Sequence, residues 1–375
     1  MNKKNVGLLT FHKVSNYGAF LQAYGLQKSL QSLGVESEFI DYPLNLIKSK
    51  KKRFSFINSP FKSFKVLIKD FLKGKNKKDK IFRNYINEKL KISEKTYLTH
   101  GDLEETSDKY EIFIVGSDQV WNPLITDSDT AYLFSFLPEE SNIFSYAASM
   151  GVGKVNEKYE LAIRKNISRF KGISVREKQT KNYLENLVPN DIFIHPDPSL
   201  LLSQEEWGDI SIDPEYNNYI LIYSLRPGDE IYSLAAELSL SADLDIVEIA
   251  TGLKRRKNIK YTKNIGPAEF IGLFKNANYV LTNSFHGTIF SVIFKKQFFV
   301  ELCKTGNTWV NTRMTEFLDS IGLSSRYKKN MTLSEITKKI DYYSIEKILE
   351  EKKSVGIKYL TRICNIDSVE IKSYE

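Results

Sequence analysis

VGLLTFHKVSNYGAFLQAYGLQKSLQSLGVESEFIDY, residues Val6 to Tyr42, decides the fold. VGLLTF (6–11) is an apolar run of the kind a buried strand needs. A polar turn, HKVSNYG, follows it. AFLQAYGLQKSL (19–30) then carries apolar residues at helical spacing and ends near Gly34. VESEFIDY (35–42) reads as the next strand. Strand, helix, strand is the crossover unit that parallel pairing requires.

The same alternation continues along the chain. YEIFIVG (110–116), NIFSYAA (142–148), KGISVR (171–176) and DIFIHPD (191–197) read as strands, with a charged helix between the last two. A second set starts at NYILIYSL (218–225), passes a helix near 229–240, and continues with LDIVEIA (244–250), NANYVLT (276–282) and QFFV (297–300). Such alternation predicts an α/β protein with parallel sheets covered by helices on both faces. Two Rossmann-like domains facing a cleft are expected: 1–203, and 219–330 after a polar linker at 204–218. A helical pattern at 332–354 lies in a last segment, 331–375, which is expected to cross back onto the first half. A length of 375 residues suits two domains.

The chain is 42% hydrophobic and 27% charged, an ordinary globular balance. Cys303 and Cys364 stand apart from each other and from any CxxC or histidine pattern, so neither a metal site nor a disulfide framework is expected. That fits a reducing cytoplasm. The start, MNKKNVGLLTF, has too short an apolar run for a signal peptide, and no segment has the length to span a bilayer. Charge is concentrated in one place. Residues 48–80 hold 13 Lys and Arg against Asp70 and Asp79, a local +11. The whole chain carries +8, so the remainder sums to −3. Phe61, Phe64, Leu67, Ile68, Phe71 and Leu72 fall at helical spacing among those lysines. The run therefore reads either as a solvated insertion or as a basic amphipathic helix on an anionic membrane surface. No nucleic-acid motif accompanies it.

Ligands of open α/β sheets bind beyond the carboxyl ends of the strands, so the turns there are the candidate sites. SNYG (15–18) lacks GxGxxG spacing, which excludes a dinucleotide fingerprint; Asn16 caps the next helix or meets a ligand. VGSDQVWNP (115–123) offers Asp118, Gln119, Trp121 and Asn122 after a permissive Gly116. A carboxylate, amides and a ring together suit a sugar, unless Asp118 merely caps a helix. Arg176 ends a short strand, where its fork can grip a carboxylate or phosphate or form a surface ion pair. TNSFHGTIFSVIF (282–294) places His286 between a strand and a helix. A helix start is an anion site, Ser284 and Thr288 add hydroxyls, and Gly287 admits close approach. A histidine there can pass a proton near an anionic substrate. Of the other three histidines, His195 sits in a proline-fixed corner with Asp197, His12 follows the first strand, and His100 lies in a charged loop.

Taken in order, FHKVSNYGAFLQAYGLQKSL, VGSDQVWNP, YAASMG, ISVREKQT, HPDPSLL and TNSFHGTIFSVIF resemble the polysaccharide pyruvyl transferase family over about residues 5 to 325. The resemblance implies a cytoplasmic enzyme of GT-B-like architecture, peripheral on the inner membrane face if the basic run docks there. It implies phosphoenolpyruvate as co-substrate, a sugar acceptor on a lipid-linked precursor of a cell-surface polysaccharide, and neither metal nor nucleotide cofactor. The family's histidine before glycine corresponds to His286, and its arginine after the mid-chain strand to Arg176. His286 and Asp118 are then the catalytic candidates. Arg176, Ser284, Gly287 and Thr288 are donor-binding candidates, and Asn16, Gln119, Trp121 and Asn122 acceptor-binding ones. One departure stands out: Ser284 occupies a position where many members carry an arginine. A nucleotide-sugar glycosyltransferase and a non-catalytic glycan-assembly component remain the alternatives.

Overall fold

The computed structural model describes residues 5–44, 75–226, 228–250, 255–262, 264–304 and 309–364. The chain folds around two parallel sheets. The first contains β1 (Asn5–Leu9), β2 (Glu36–Asp41), β3 (Ile92–Thr96), β4 (Ile112–Val115) and β5 (Ile143–Ser145), in the order β3-β2-β1-β4-β5. β6 (Ile173–Val175) and β7 (Ile192–Ile194) pair with each other, and bridges from Phe144 to Gly172 and from Ala148 to Val175 attach them to β5. The second sheet contains β8 (Tyr219–Tyr223), β9 (Asp245–Ile249), β10 (Lys260–Thr262), β11 (Tyr279–Thr282) and β12 (Gln297–Val300), in the order β10-β9-β8-β11-β12. Each sheet starts in the middle and winds outward both ways, the Rossmann-like pattern that leaves a crevice where the winding reverses.

The sequence dictates this layout through burial. β4 (IFIV) and β8 (YILIY) are buried at every residue, as central strands covered on both faces must be. β3 (ISEKT) and β10 (KYT) are short, polar and at the edges. The apolar pattern therefore did not reveal them.

The helix Tyr17–Ser32 is the joint between the halves. Asn16 caps it by accepting the Ala19 N–H at 3.2 Å. The Tyr17 ring stacks on Phe270 of the second half at 4.4 Å, and its hydroxyl donates to the Ile265 carbonyl at 3.1 Å. One apolar cluster runs from Leu8, Phe20 and Leu26 to Tyr223, Phe270 and Phe290 across the seam. The stretch expected as a linker is packed into that seam. It folds as the helix Gln204–Asp209, and Trp207 is fully buried between Tyr24, at 5.6 Å, and Phe290, at 5.1 Å. Its indole N–H donates to the Ser199 carbonyl at 3.0 Å. Truncating such a ring to alanine typically costs about 3–5 kcal/mol.

A last helix, Tyr342–Cys364, ties the halves together. Near its start, the Tyr342 hydroxyl donates to the Lys296 carbonyl at 2.6 Å in the second half. Near its end, the Tyr359 hydroxyl donates to the Ser145 carbonyl at 3.0 Å in the first, and its ring lies 4.5 Å from His195. Most of the basic run 48–80 falls outside the described residues; Lys75 to Lys80 open the helix Lys75–Lys89. Among the described residues, no helix is long and apolar enough to cross a membrane.

Candidate active site

The carboxyl ends of β4, β6, β7 and β11 converge on a charged cluster. Arg176 directly follows β6, where its N–H donates to the Ala148 carbonyl at 3.0 Å. Its side chain is 3% exposed, so the alternative of a surface ion pair is excluded. Nη1 donates to Asp197 Oδ2 at 2.8 Å. Glu177 lies 3.7 Å from Nε and Asp118 3.8 Å from Nη2, beyond hydrogen-bonding reach. Nε and Nη2 are buried without a hydrogen-bond partner. They form one edge of the guanidinium, the edge that can donate two parallel bonds to an oxyanion. The Phe285 ring lies beneath the guanidinium carbon at 4.6 Å.

Asp197 fixes Arg176 from the β7 side. It is fully buried and accepts from the Ser117 hydroxyl at 3.2 Å and the Ser199 N–H at 3.0 Å. Burial would raise its pKa. The charges of His286 and Arg176, with the Ser199 and Arg176 hydrogen bonds, outweigh burial and hold it below the usual carboxylate range.

His286 is the second residue of the helix Phe285–Ile293, which starts just past β11. Its Nε2 is buried, lacks a hydrogen-bond partner and sits 3.7 Å from Asp197 Oδ2. Burial pushes the imidazole below its ordinary pKa; Asp197 and Asp118 pull it up, and Arg176 and Arg313 push it down again. The other face of the ring lies on Gly18 of the first half. A Cβ there would come within 2.1 Å of His286 Nδ1. Glycine in NYG is thus the residue that lets the imidazole reach the seam.

Three expectations about the flanking residues need correction. Trp121 does not face a sugar. It is fully buried, its indole N–H donates to the Tyr132 carbonyl at 3.0 Å, and Phe170 meets it edge-on. Asn122, rather than Asp118, is the helix cap. It is buried, accepting from the Leu124 N–H at 3.0 Å and donating to Gln119 at 2.7 Å. The helix-start groups are also used internally. Ser284 accepts from the Gly287 N–H at 3.3 Å, and the buried Thr288 hydroxyl donates to the Ser284 carbonyl at 3.0 Å. The space beside Gly287 is filled by the Thr282 hydroxyl, 2.3 Å from where a Cβ would stand. A helix must first satisfy its own terminal groups, and these side chains do so.

Asp118 remains a candidate. It is partly exposed and holds a left-handed φ of 76°. Gln119 packs over Gly151, and Asn16 is exposed at its cap. His195 is structural: Nδ1 bonds the Ser174 hydroxyl at 2.7 Å and burial pushes its pKa to about 4. His100 pairs with Asp129 at 2.6 Å, and buried His12 stacks on Phe39. One residue has no signal in the sequence. Arg313, on the helix Trp309–Asp319, places its guanidinium carbon 5.5 Å from the Phe285 ring. A cavity of roughly 760 Å³ is lined by Arg176, Asp197, Phe285, Arg313 and Lys352 among others; His286 and Asp118 lie outside its lining.

A sequence model of polysaccharide pyruvyl transferases matches residues 16–301. The chain belongs to this family. It is therefore a transferase, and the pyruvyl transferase family implies a sugar or polysaccharide acceptor. No curated protein matches the chain. Among solved structures, it is similar to UDP-GlcNAc 2-epimerase from Neisseria meningitidis bound to UDP-GlcNAc, at 11% identity over 95% of this chain and 99% of that one, with a TM-score of 0.50. UDP-GlcNAc 2-epimerase from Methanocaldococcus jannaschii is 14% identical over 93% and 92%, with a TM-score of 0.48. The glycosyltransferase SnogD from Streptomyces nogalater is 9% identical over 96% and 100%, with a TM-score of 0.44. Identities this low speak to architecture alone: this pyruvyl transferase family member has a GT-B-like arrangement of two Rossmann-like domains.

Proposed function

We propose that the chain transfers a pyruvyl group from phosphoenolpyruvate to a sugar, forming a pyruvate ketal. The observation that supports this reading most is the unpartnered edge of Arg176 in the same buried cluster as the unpartnered Nε2 of His286. Buried donors without acceptors are costly, so the pair favours a small anion that carries oxygens in one plane. In this reading, the Arg176 edge grips the donor's carboxylate and Asp197 holds Arg176 in place. His286 delivers a proton to the methylene carbon, turning it into a methyl group and leaving positive charge on the neighbouring carbon. A sugar hydroxyl attacks that carbon, forms a C–O bond and loses its proton to Asp118. The C–O bond to phosphate then breaks with its electron pair, and a second sugar hydroxyl closes the ketal as phosphate takes up the last proton. Burial lowers the His286 pKa, which makes its protonated form a stronger acid. The scheme calls on no metal or nucleotide cofactor.

The acceptor is lipid-linked in this reading, and the basic run 48–80 docks the enzyme on an anionic membrane surface. Sedimentation with anionic vesicles at low salt tests the docking. Mass spectrometry of purified protein with phosphoenolpyruvate and candidate lipid-linked sugars tests the chemistry. The expected result is one added ketal for each phosphate released. Consumption of a nucleotide-sugar with phosphoenolpyruvate untouched would instead establish glycosyl transfer on this architecture.

A further inference from the structure

Arg176 and Arg313 approach the same Phe285 ring, at 4.6 and 5.5 Å, but their surroundings differ. The cluster's arginine–carboxylate contacts all fall on Arg176, from Asp118, Glu177 and Asp197. Arg313 has no such partner among the described residues, and its Nε is buried without a hydrogen bond. The residue stays partly exposed and lines the cavity that also opens on Arg176. Burial, reinforced by the charges of Arg176 and Arg226, lowers its pKa to about 10 although Glu177 and Asp118 oppose this. Two guanidinium groups therefore share one ring at a cavity wall, and among the described residues only Arg176 has a carboxylate within 4 Å. With no ion-pair partner of its own among the described residues, the Arg313 guanidinium can donate charge-assisted hydrogen bonds to an oxyanion that enters the cavity, although Glu177, Glu316, Asp319 and Glu351 also line the wall.

We propose that Arg313 is the cation of a phosphoryl subsite, reached across the Phe285 ring from Arg176 and supplied by the Trp309–Asp319 helix. It provides the positive charge that the helix-start side chains, occupied with their own backbone, do not. The proposal rests on the pyruvyl-transfer reading for the identity of the ligand, but not for its charge. A donor with a carboxylate on Arg176 and a phosphoryl group on Arg313 would span the ring.

The test uses the full chain and two probes, inorganic phosphate and phosphoenolpyruvate, by titration calorimetry. Arg313→Gln should weaken phosphate binding by roughly 10- to 100-fold, the loss of one charge-assisted hydrogen bond. Arg313→Lys should recover part of it. Unchanged phosphate affinity in Arg313→Gln, or no phosphate binding by the wild type, overturns the proposal. Phenylglyoxal labelling of wild-type protein gives a second measurement independent of how the variants fold. Phosphate should protect Arg313 from modification, and an unprotected Arg313 again overturns the subsite. The two readings fail separately. Phosphate binding that depends on Arg313, with phosphoenolpyruvate neither bound nor consumed, keeps the subsite and rejects pyruvyl transfer. Phosphoenolpyruvate turnover at the wild-type KM in Arg313→Gln rejects the subsite and keeps pyruvyl transfer.

Discussion

Adding one methyl group at Gly18 should disable the enzyme without replacing any polar side chain. A Cβ at that position would lie 2.1 Å from Nδ1, 2.6 Å from Cε1 and 2.7 Å from Cγ of His286. Ordinary van der Waals contact begins near 3.4 Å, so the ring must retreat by 3.4 − 2.1, about 1.3 Å. Retreat is opposed by the packing of His286 on its own helix and by Phe285 beside it, 5.3 Å away edge-on. Overpacking of this kind costs about 1–3 kcal/mol, and a misplacement of about 1 Å in a reacting group can cost on the order of 100-fold in rate. Gly18→Ala should therefore melt somewhat earlier and, well below its melting temperature, lose about two orders of magnitude in transferase turnover; with the donor proposed above, phosphate release is the readout. Gly272→Ala is the matched control. Its Cβ would meet the Ile212 carbonyl oxygen at 1.8 Å, between a second-domain helix and the chain that enters that domain. It should lose stability and keep the turnover of its folded fraction. Wild-type turnover in Gly18→Ala would refute the reasoning, because the position of the His286 ring would then not matter.

Four other outcomes are expected. His286→Gln should reduce turnover about 100- to 10,000-fold with the melting curve largely kept; activity within a few-fold of wild type removes the imidazole from the mechanism. Arg176→Lys keeps the charge but loses the two-pronged edge, so the donor KM should rise even where turnover persists, and an unchanged KM would make Arg176 purely structural. Asp118→Asn removes one of the two carboxylates that raise the His286 pKa. Activity that needs protonated His286 is lost as pH rises through that pKa, so the alkaline limb of the residual rate should move to lower pH; a fixed limb uncouples the two residues. Stability should fall below pH 6.5, because unfolded His195 takes a proton near its ordinary value of 6.5 while the folded one does so only at about 4. The loss spans that window and reaches roughly 3 kcal/mol from this residue. His195→Gln should flatten this part of a denaturation–pH profile, and an unaltered slope would assign the loss to other groups.

The doubly wound halves were legible because their middle strands are almost wholly apolar and recur with helices between them. The edge strands Ile92–Thr96 and Lys260–Thr262 were not, since an edge needs little hydrophobic surface and these offer little. The turn at His286 and the arginine at 176 stood out as chemistry-bearing residues on strand ends. Their meeting with Asp197 is tertiary and could not be read from spacing. Trp121 was misread for a physical reason: a ring among short polar residues has the same composition whether it faces a sugar or the Tyr132 carbonyl in a core. Arg313 sits on a helix with no motif. Only the cavity wall distinguishes it from a solvated arginine.

The shared seam also governs how the protein can be made. A chain leaves the ribosome from its N-terminus, and domains usually fold as they emerge. Here the first half cannot finish that way. Tyr17 waits for Phe270, Tyr24 for Trp207, and the surface at Ser145 and His195 for Tyr359. At about 5–20 residues per second, Trp207 follows residue 203 almost at once and Phe270 within roughly 3–13 s, but the surface at Ser145 and His195 waits roughly 8–31 s for Tyr359. Exposed apolar surface of that kind is prone to aggregation, and a gene fragment ending near residue 203 would lack Trp207, Phe270 and Tyr359 altogether.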